Sequence, residues 1–487
     1  MPLFRRAFWV YDGQEKPLWT PSGRTQKTGG INVHQTIELY QMLEARERRC
    51  MRQQELLRQY AKPLVCLTMN IAGPVKDSPL IRRSFDHGVE LLHRQLLRQR
   101  IRPLHEALMR EVTGCEAYVV LDLDPLAVKR MTTAIEDGSP LGRLFDMDVL
   151  RPDGCKVERE ELGLPGRTCL ICGGPAKVCS SRRVHPVAEL QQKTHDIMAQ
   201  AMDELDAKTC AQQAVRALLY EVNTTPKPGL VDRRNSGSHR DMDSFTFMSS
   251  AASLWPYFFA CARTGQQTAS QSADKTFAAL RPLGCQAEGD MLAATCGVNT
   301  HKGAIFTLGI LCAALGRLDR ALWRSPGRFL EEAAAMTAGL TASDFAGLTR
   351  ENAQTAGQRL YLEYGITGVR GQVEAGLPAV RDFGLPVLER GLKQGIDLNR
   401  AGCAALLAIL ANSTDTNMIS RSDRATQQAV AQELRERLEQ TPYPDEDTLC
   451  ALDDRFIDAN LSPGGSADLL AVCYLLHFLK SEEECHV

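Results

Sequence analysis

From about residue 206 to the end of the chain, nearly every segment places apolar residues three and four apart among good helix formers. Only short breaks interrupt this spacing: "NTTPKPGLVDRRNSGSHRDMDS", "AEGD", "GVNTHKG", "GITGVRGQ", "NSTDTNMISRSDR" and "LSPGGSAD". No fixed period recurs, so one large all-α domain over 206–487 is expected rather than a helical solenoid. The first 200 residues follow a different rule. Residues 1–33 show no sustained period and read as a loose arm. Residues 36–60 have helical spacing, and "PLVCLTMNIAG" reads as a strand. "PVKDSPLIRRSFDHG" reads as a loop leading into the helix "VELLHRQLLRQR", which Pro103 limits. "AYVVLDLD" and "GRLFDMDVLRPDGCKV" read as further strands, making 34–200 an α+β domain. A polar helix bridges the two parts, with the join expected near 198–208. At 487 residues, a multidomain chain is the natural outcome.

The bulk properties exclude several classes. A net charge of −2 lacks the basic excess of a general nucleic-acid binder. Arg94, Arg98, Arg100 and Arg102 form a basic helix face, but no aromatic platform accompanies it. That face is either solvated or a docking surface for an acidic carrier protein. The longest apolar stretches are shorter than a membrane span or broken by polar residues, and Asp12 interrupts the N-terminal stretch too soon for a secretory signal. Sixteen scattered cysteines then predict reduced thiols and a cytoplasmic protein.

The polar residues of the C-terminal half gather in the breaks between helices. "GVNTHKG" puts Asn299, Thr300, His301 and Lys302 before an apolar helix. A helix start with free N–H groups binds anions, and Asn299 or Thr300 can equally be an ordinary N-cap. The spacing is not that of a Walker A loop. "PKPGLVDRRNSGSHRDMD" sets Lys227, Arg233, Arg234, His239 and Arg240 beside Asp232, Asp241 and Asp243. This mixture suits a Mg²⁺-bound polyphosphate, or else a self-paired solvated loop. "AEGD" offers Glu288 and Asp290, "DTN" offers Asp415, and "SPGGSADLL" places Ser466 as an N-cap with Asp468 in the first turn.

Taken together, "EVNTTPKPGLVDRRNSGSH", "EGDM", "GVNTHKGAIFTLG", "TAGQRLY…GITGVRGQ" and "LSPGGSADLL" resemble the triphosphoribosyl-dephospho-CoA synthase family over about 206–487. The resemblance implies ATP and 3′-dephospho-CoA as substrates, adenine as leaving group, and transfer of the triphosphoribosyl group to a ribose hydroxyl. An oxocarbenium-like transition state calls for carboxylates, one of them a general base. Glu288, Asp290, Asp232 and Asp415 are the candidates for those or metal roles. Lys227, Arg233, His239, Asn299, Thr300, His301, Lys302, Arg370 and Ser466 are the candidate substrate contacts. Two departures stand out: Ser422 and Asp423 replace a Gly-Gly pair, and Gln372 replaces a glutamate.

In the N-terminal half, alternation along a strand would turn Asp146 and Asp148 to one face, a pattern that holds Mg²⁺ against a triphosphate. Asp122 and Asp124 show the same spacing. Lys76, Ser78, Arg82 and Arg83 form a candidate phosphate loop, or a plain surface turn. Cys169, Cys172, Cys179 and His185 can make a tetrahedral Zn²⁺ site or remain free thiols. "GPVKDS…RR", "PLGRLFDMDVL" and "CLIC…C…H" resemble the holo-citrate lyase synthase family over about 36–200. That resemblance favours Asp146 and Asp148 as the metal pair in a nucleotidyltransferase-like domain, with Lys76 and an arginine, Arg143 among the candidates, on the phosphates. It implies attack by a serine of the citrate lyase acyl carrier protein on the triphosphoribosyl intermediate, with diphosphate leaving. The other readings are service to a malonate decarboxylase carrier, or a C-terminal half that is a silent scaffold.

Overall fold

A computed structural model describes residues 36–481; the arm expected over 1–33 lies outside the described residues. The described chain divides into two compact units, with the boundary between Glu204 and Leu205.

The first unit contains α1 (Leu39–Tyr60), β1 (Leu64–Met69), α2 (Pro79–Arg98), β2 (His105–Glu111), β3 (Gly114–Val120), α3 (Pro125–Asp137), β4 (Phe145–Leu150) and the short α4 (Ala176–Ser181). The strands form one antiparallel sheet in the order β2-β3-β1-β4, which leaves β4 at an edge. On one face Leu64, Cys66, Tyr118 and Val120 pack against Leu56 and Leu57 of α1. Register pairs Cys66 with Asp148 and Thr68 with Asp146, so both aspartates share that face.

Three local expectations change here. The helix α2 begins ten residues before the sequence pattern starts it, at Pro79, so Arg82 and Arg83 are helical. Pro79 suits the first helical position, and Ser78 is its N-cap, accepting from Ile81 N at 3.2 Å. The strand β3 ends at Val120, before "LDLD"; Asp122 pairs with Lys62, and Asp124 caps α3 through Ala127 N at 2.9 Å. Those two acids are therefore not a strand pair. The strand β2, "HEALMRE", has no counterpart in the sequence reading; its polar positions alternate between half-buried and exposed and carry little apolar signal.

The helix α5 (Val187–Asn223) crosses the boundary. It is followed by α6 (Ser244–Ser253), α7 (Trp255–Thr268), α8 (Ala273–Ala294), α9 (Lys302–Arg317), α10 (Pro326–Met336), α11 (Leu340–Asp344), α12 (Ala356–Tyr364) and α13 (Gly368–Glu374). Then come α14 (Leu385–Lys393), α15 (Leu398–Asn412), α16 (Thr416–Arg421), α17 (Arg424–Gln440), α18 (Glu446–Asp458) and α19 (Gly464–Ser481). Among the described residues this unit has no strand. Helices α9, α15 and α19 are apolar nearly all round and buried at the centre, as such helices must be.

Several expected loops are helical. "AEGD" lies inside α8, where Gly289 is tolerated, and "GITGVRGQ" contains the start of α13. "NSTDTNMISRSDR" contains α16. Ser466 sits within the first turn of α19 rather than at its N-cap. The N-cap of α9 is His301, with no side-chain capping bond, so neither Asn299 nor Thr300 caps it. Among the described residues, no helix is long and apolar enough to cross a membrane.

Candidate functional sites

In the first unit a small cavity of about 150 Å³ opens over the edge of the sheet, lined by Arg46, Arg49, Thr68, Asn70, Lys76 and Asp146 among others. Burial, and then the adjacent Arg46, lowers the Lys76 pKa. Its Nζ donates to the Ile71 carbonyl. Burial, then repulsion from Asp148, raises the Asp146 pKa. Asp148 meets Lys156 at 2.5 Å. Arg49 pairs with Glu116 at 2.7 Å, whereas Lys76 bonds to a backbone carbonyl, and the Asp146 carboxylate shares the cavity with these cationic side chains.

The other phosphate-loop candidates point elsewhere. Ser78 is occupied as a cap, Arg82 forms a two-pronged pair with Asp77, and Arg143 donates to the Thr168 carbonyl at 2.6 Å. Arg83 lies on α2 and does not line the cavity. Arg46 and Arg49 also line this cavity, and sequence reasoning did not single them out. Their three-residue spacing on α1 was a usable signal, since it puts both on one helix face.

In the second unit a cavity of about 430 Å³ lies among the ends of α5, α9, α13, α16 and α19. Asn299, Thr300, His301, Lys302, Lys227, His239, Asp415 and Ser466 all line it. Two further acids, Glu221 and Asp468, line it beside Asp415. Burial pushes Asp468 well above the usual carboxylate range, and Glu221 and Asp415 add repulsion. Burial also raises Glu221 against the opposing pull of Lys227, its ion-pair partner. Glu221 was missed because it sits mid-pattern at the end of a helix, where an acid reads as solvated.

The start of α9 explains "GVNTHKG". A Cβ at position 303 would overlap Asp468 Oδ2, so Gly303 lets that carboxylate approach the helix start. The Ala304 backbone N–H donates to it. The favourable anion position at this N-terminus is therefore held in part by the protein's own acid. His301 is buried; its Nδ1 meets Ser250 Oγ at 2.7 Å, while its Nε2 is buried without a partner. Burial, then Lys227, lowers its pKa to about 3, so the ring is neutral. Thr300 also donates to Ser250 Oγ, at 2.8 Å. Lys302 pairs with Glu288 at 2.7 Å.

Other candidates hold the surrounding backbone in place. Asp415 Oδ1 accepts from Asn417 N at 3.0 Å and Met418 N at 3.1 Å, capping α16. Its Oδ2 accepts from Ser466 N at 2.7 Å and Ser466 Oγ at 2.8 Å, tying α16 to α19. Asp232 accepts three backbone N–H groups, from Lys227, Arg234 and Asn235, at 2.7–3.2 Å and folds its own loop. His239 is lowered by burial and by Arg421, and contacts Ser462 Oγ at 2.9 Å.

Besides Asp232, four expected residues do not line the cavity. Glu288 reaches it only through Lys302, because "AEGD" is helical and turns the side chains outward. Asp290 is exposed on the same helix. Arg233 is exposed and reaches Asn399 at 3.3 Å. Arg370 turns to Asp344 at 2.7 Å. Of the two departures, Asp423 caps α17 through Thr426 N at 2.8 Å and Ser422 bonds back to the Met418 carbonyl at 2.9 Å; neither lines the cavity. Gln372 does line it.

The cysteine motif also comes together. One donor atom from each of Cys169, Cys172, Cys179 and His185 lies within 4.8 Å of the others. Backbone N–H groups of Cys172 and Ile171 pull the Cys169 thiol down to about 7.

Comparison with known proteins agrees with this division. The profile of the family described as ATP:dephospho-CoA triphosphoribosyl transferase matches residues 207–486, and that of apo-citrate lyase phosphoribosyl-dephospho-CoA transferase matches 37–201. The "Protein CitXG" of Haemophilus influenzae is 36% identical over 90% of this chain and 95% of its own length. That of Leuconostoc mesenteroides subsp. cremoris is 34% identical over 90% and 97%. A "2-(5''-triphosphoribosyl)-3'-dephosphocoenzyme-A synthase" of Pectobacterium atrosepticum is 42% identical over 56% of this chain and 89% of that protein. Two units, each with its own polar cavity and each matched by one transferase family, make this chain a member of the fused CitXG family.

Proposed function

We propose that the chain is a bifunctional transferase: it makes 2′-(5″-triphosphoribosyl)-3′-dephospho-CoA and installs the phosphoribosyl-dephospho-CoA group on the citrate lyase acyl carrier protein. The observation that carries the first half is the meeting of Glu221, Asp468, Lys227 and neutral His301 in one cavity. In the synthase step the C1–N bond to adenine breaks, with its electron pair leaving on the base. A bond from C1 to the acceptor hydroxyl oxygen forms. Asp468 takes the hydroxyl proton, and the departing adenine takes a proton on its ring nitrogen from water. Glu221 stabilises the positive charge that develops on the ribose. Lys302 and Arg421 meet the triphosphate at the cavity mouth, and His301 Nε2 supplies a neutral hydrogen-bonding position.

In the second half, we assign Lys76, Arg46 and Arg49 to the phosphates of the triphosphoribosyl group. The carrier serine oxygen attacks the α-phosphorus, its proton passes to water, and diphosphate departs with the cleaved bond's electrons. Asp146 and Asp148 fit a Mg²⁺ ion, since two carboxylates on one strand face repel each other and offer hard oxygen ligands. Bound there, the ion would add charge neutralisation of the leaving diphosphate. On this reading β4 is the acidic strand of a nucleotidyltransferase-like sheet.

The test is incubation of the full chain with ATP, Mg²⁺, dephospho-CoA and apo-carrier. Adenine is quantified and the carrier weighed by mass spectrometry. Free adenine together with a carrier heavier by one phosphoribosyl-dephospho-CoA group is expected. Adenine without carrier mass would remove the second assignment, and no adenine would remove the first.

A further inference from the structure

We propose that Cys169, Cys172, Cys179 and His185 form a closed, structural zinc site that anchors residues 167–186 against the start of β4. Three sulfurs and one imidazole converge with donor atoms inside 4.8 Å. Two thiolates bound to one zinc at about 2.3 Å each sit about 3.7 Å apart in a tetrahedron. The Cys172 and Cys179 sulfurs are 3.5 Å apart. His185 Nε2 is buried without a hydrogen-bond partner, and its Nδ1 faces Glu189 at 3.8 Å. A carboxylate behind the second ring nitrogen is the usual support of a zinc-bound histidine.

The backbone is shaped for the same purpose. Cys169 N donates to the Gly174 carbonyl at 2.6 Å, and Gly173 N donates back to Cys169 O at 3.1 Å, closing a tight knuckle. Gly173 takes the positive φ of 73° that this turn requires. Ile171 N points at Cys169 Sγ at 3.4 Å. This short segment carries almost no buried side chains of its own. A cross-link by metal therefore replaces a core that is missing.

The anchor points lead to the proposed active strand. Arg143 donates to Thr168 O at 2.6 Å, and Arg167 donates to Phe145 O at 2.8 Å and pairs with Glu136 at 2.5 Å. Phe145 immediately precedes Asp146. Four protein ligands leave no open position, so the ion has no catalytic place here.

The test uses the full chain, purified and dialysed against a weak chelator. Elemental analysis should find about one zinc per chain. The Cys172→Ala and His185→Ala variants should fall below about one third of that, with His185→Cys recovering most of it. Cobalt in place of zinc should give the strong visible bands of tetrahedral thiolate coordination, reduced by about a third in Cys179→Ser. Because variants can misfold, the native chain supplies a second readout. A strong chelator should raise the count of fast-reacting thiols by three, and zinc should reverse it. Zinc absent after dialysis, zinc unaffected by the substitutions, or no change in thiol count would each overturn the site.

Discussion

A buried ion pair, Lys227 with Glu221, stands in the cavity of the helical unit with almost no exposure. Removing one partner strands the other in a low-dielectric setting. Lys227→Met should therefore lower the stability of this unit by about 3–5 kcal/mol. The double variant Lys227→Met/Glu221→Gln should recover part of the loss, and urea titrations of both variants decide it. His301 gives a pH signature. Its folded pKa, about 3, lies below the value of about 6.5 in an unfolded chain. The neutral ring's contribution is intact above pH 6.5. Below that the unfolded chain takes up a proton that the folded one refuses, and stability falls toward pH 3. The slope from this one group is at most about 1.4 kcal/mol per pH unit. His301→Gln should flatten the acid limb of a stability-against-pH curve; an unchanged limb would show the ring to be solvated. At this scale the sequence exposed the residues in conspicuous loops, such as His301 and Lys302. It hid Glu221 and Arg46, which sit in regular helix where charge is the ordinary surface state.

Elements were legible where their periodicity was undisturbed, as in α1, β1, β4 and the apolar α9, α15 and α19. They were misread where glycine and acids cluster. In α8, "AEGD" contains a glycine with open space around it, so no turn is needed there. Gly289→Ala should stabilise α8 by roughly 0.5–1 kcal/mol, read from the melting of the helical unit. Gly303 behaves in the opposite way, because its missing Cβ makes room for Asp468. Gly303→Ala should leave the unit folded by circular dichroism. Displacement of the proposed base should slow adenine release by on the order of a hundredfold. Equal adenine rates in the two alanine variants would break the link between the start of α9 and catalysis. The contrast rests on close approach alone, which no propensity scale contains.

At the scale of the molecule, the change from mixed to purely helical patterning near residue 200 was readable because backbone periodicity changes there. What each cavity contains was not readable, because Glu221, Asp415 and Asp468 meet only after α5, α16 and α19 have packed. The same separation makes the two activities independently breakable. Asp468→Asn should strongly slow adenine release but still load the carrier when given preformed triphosphoribosyl-dephospho-CoA. Asp146→Asn should release adenine at the parent rate and leave the carrier unmodified. Loss of the proposed base should lower the synthase rate by about 10²–10⁴-fold. Fusion holds the second active unit near each newly made intermediate, which raises its local concentration without requiring a closed route. The intermediate carries several phosphate charges and, once released, can diffuse between chains. A mixture of the two single variants should therefore load the carrier after a lag that shortens as total protein rises. A mixture that never loads, while each variant keeps its own half-reaction, would mean that the intermediate passes only within one chain.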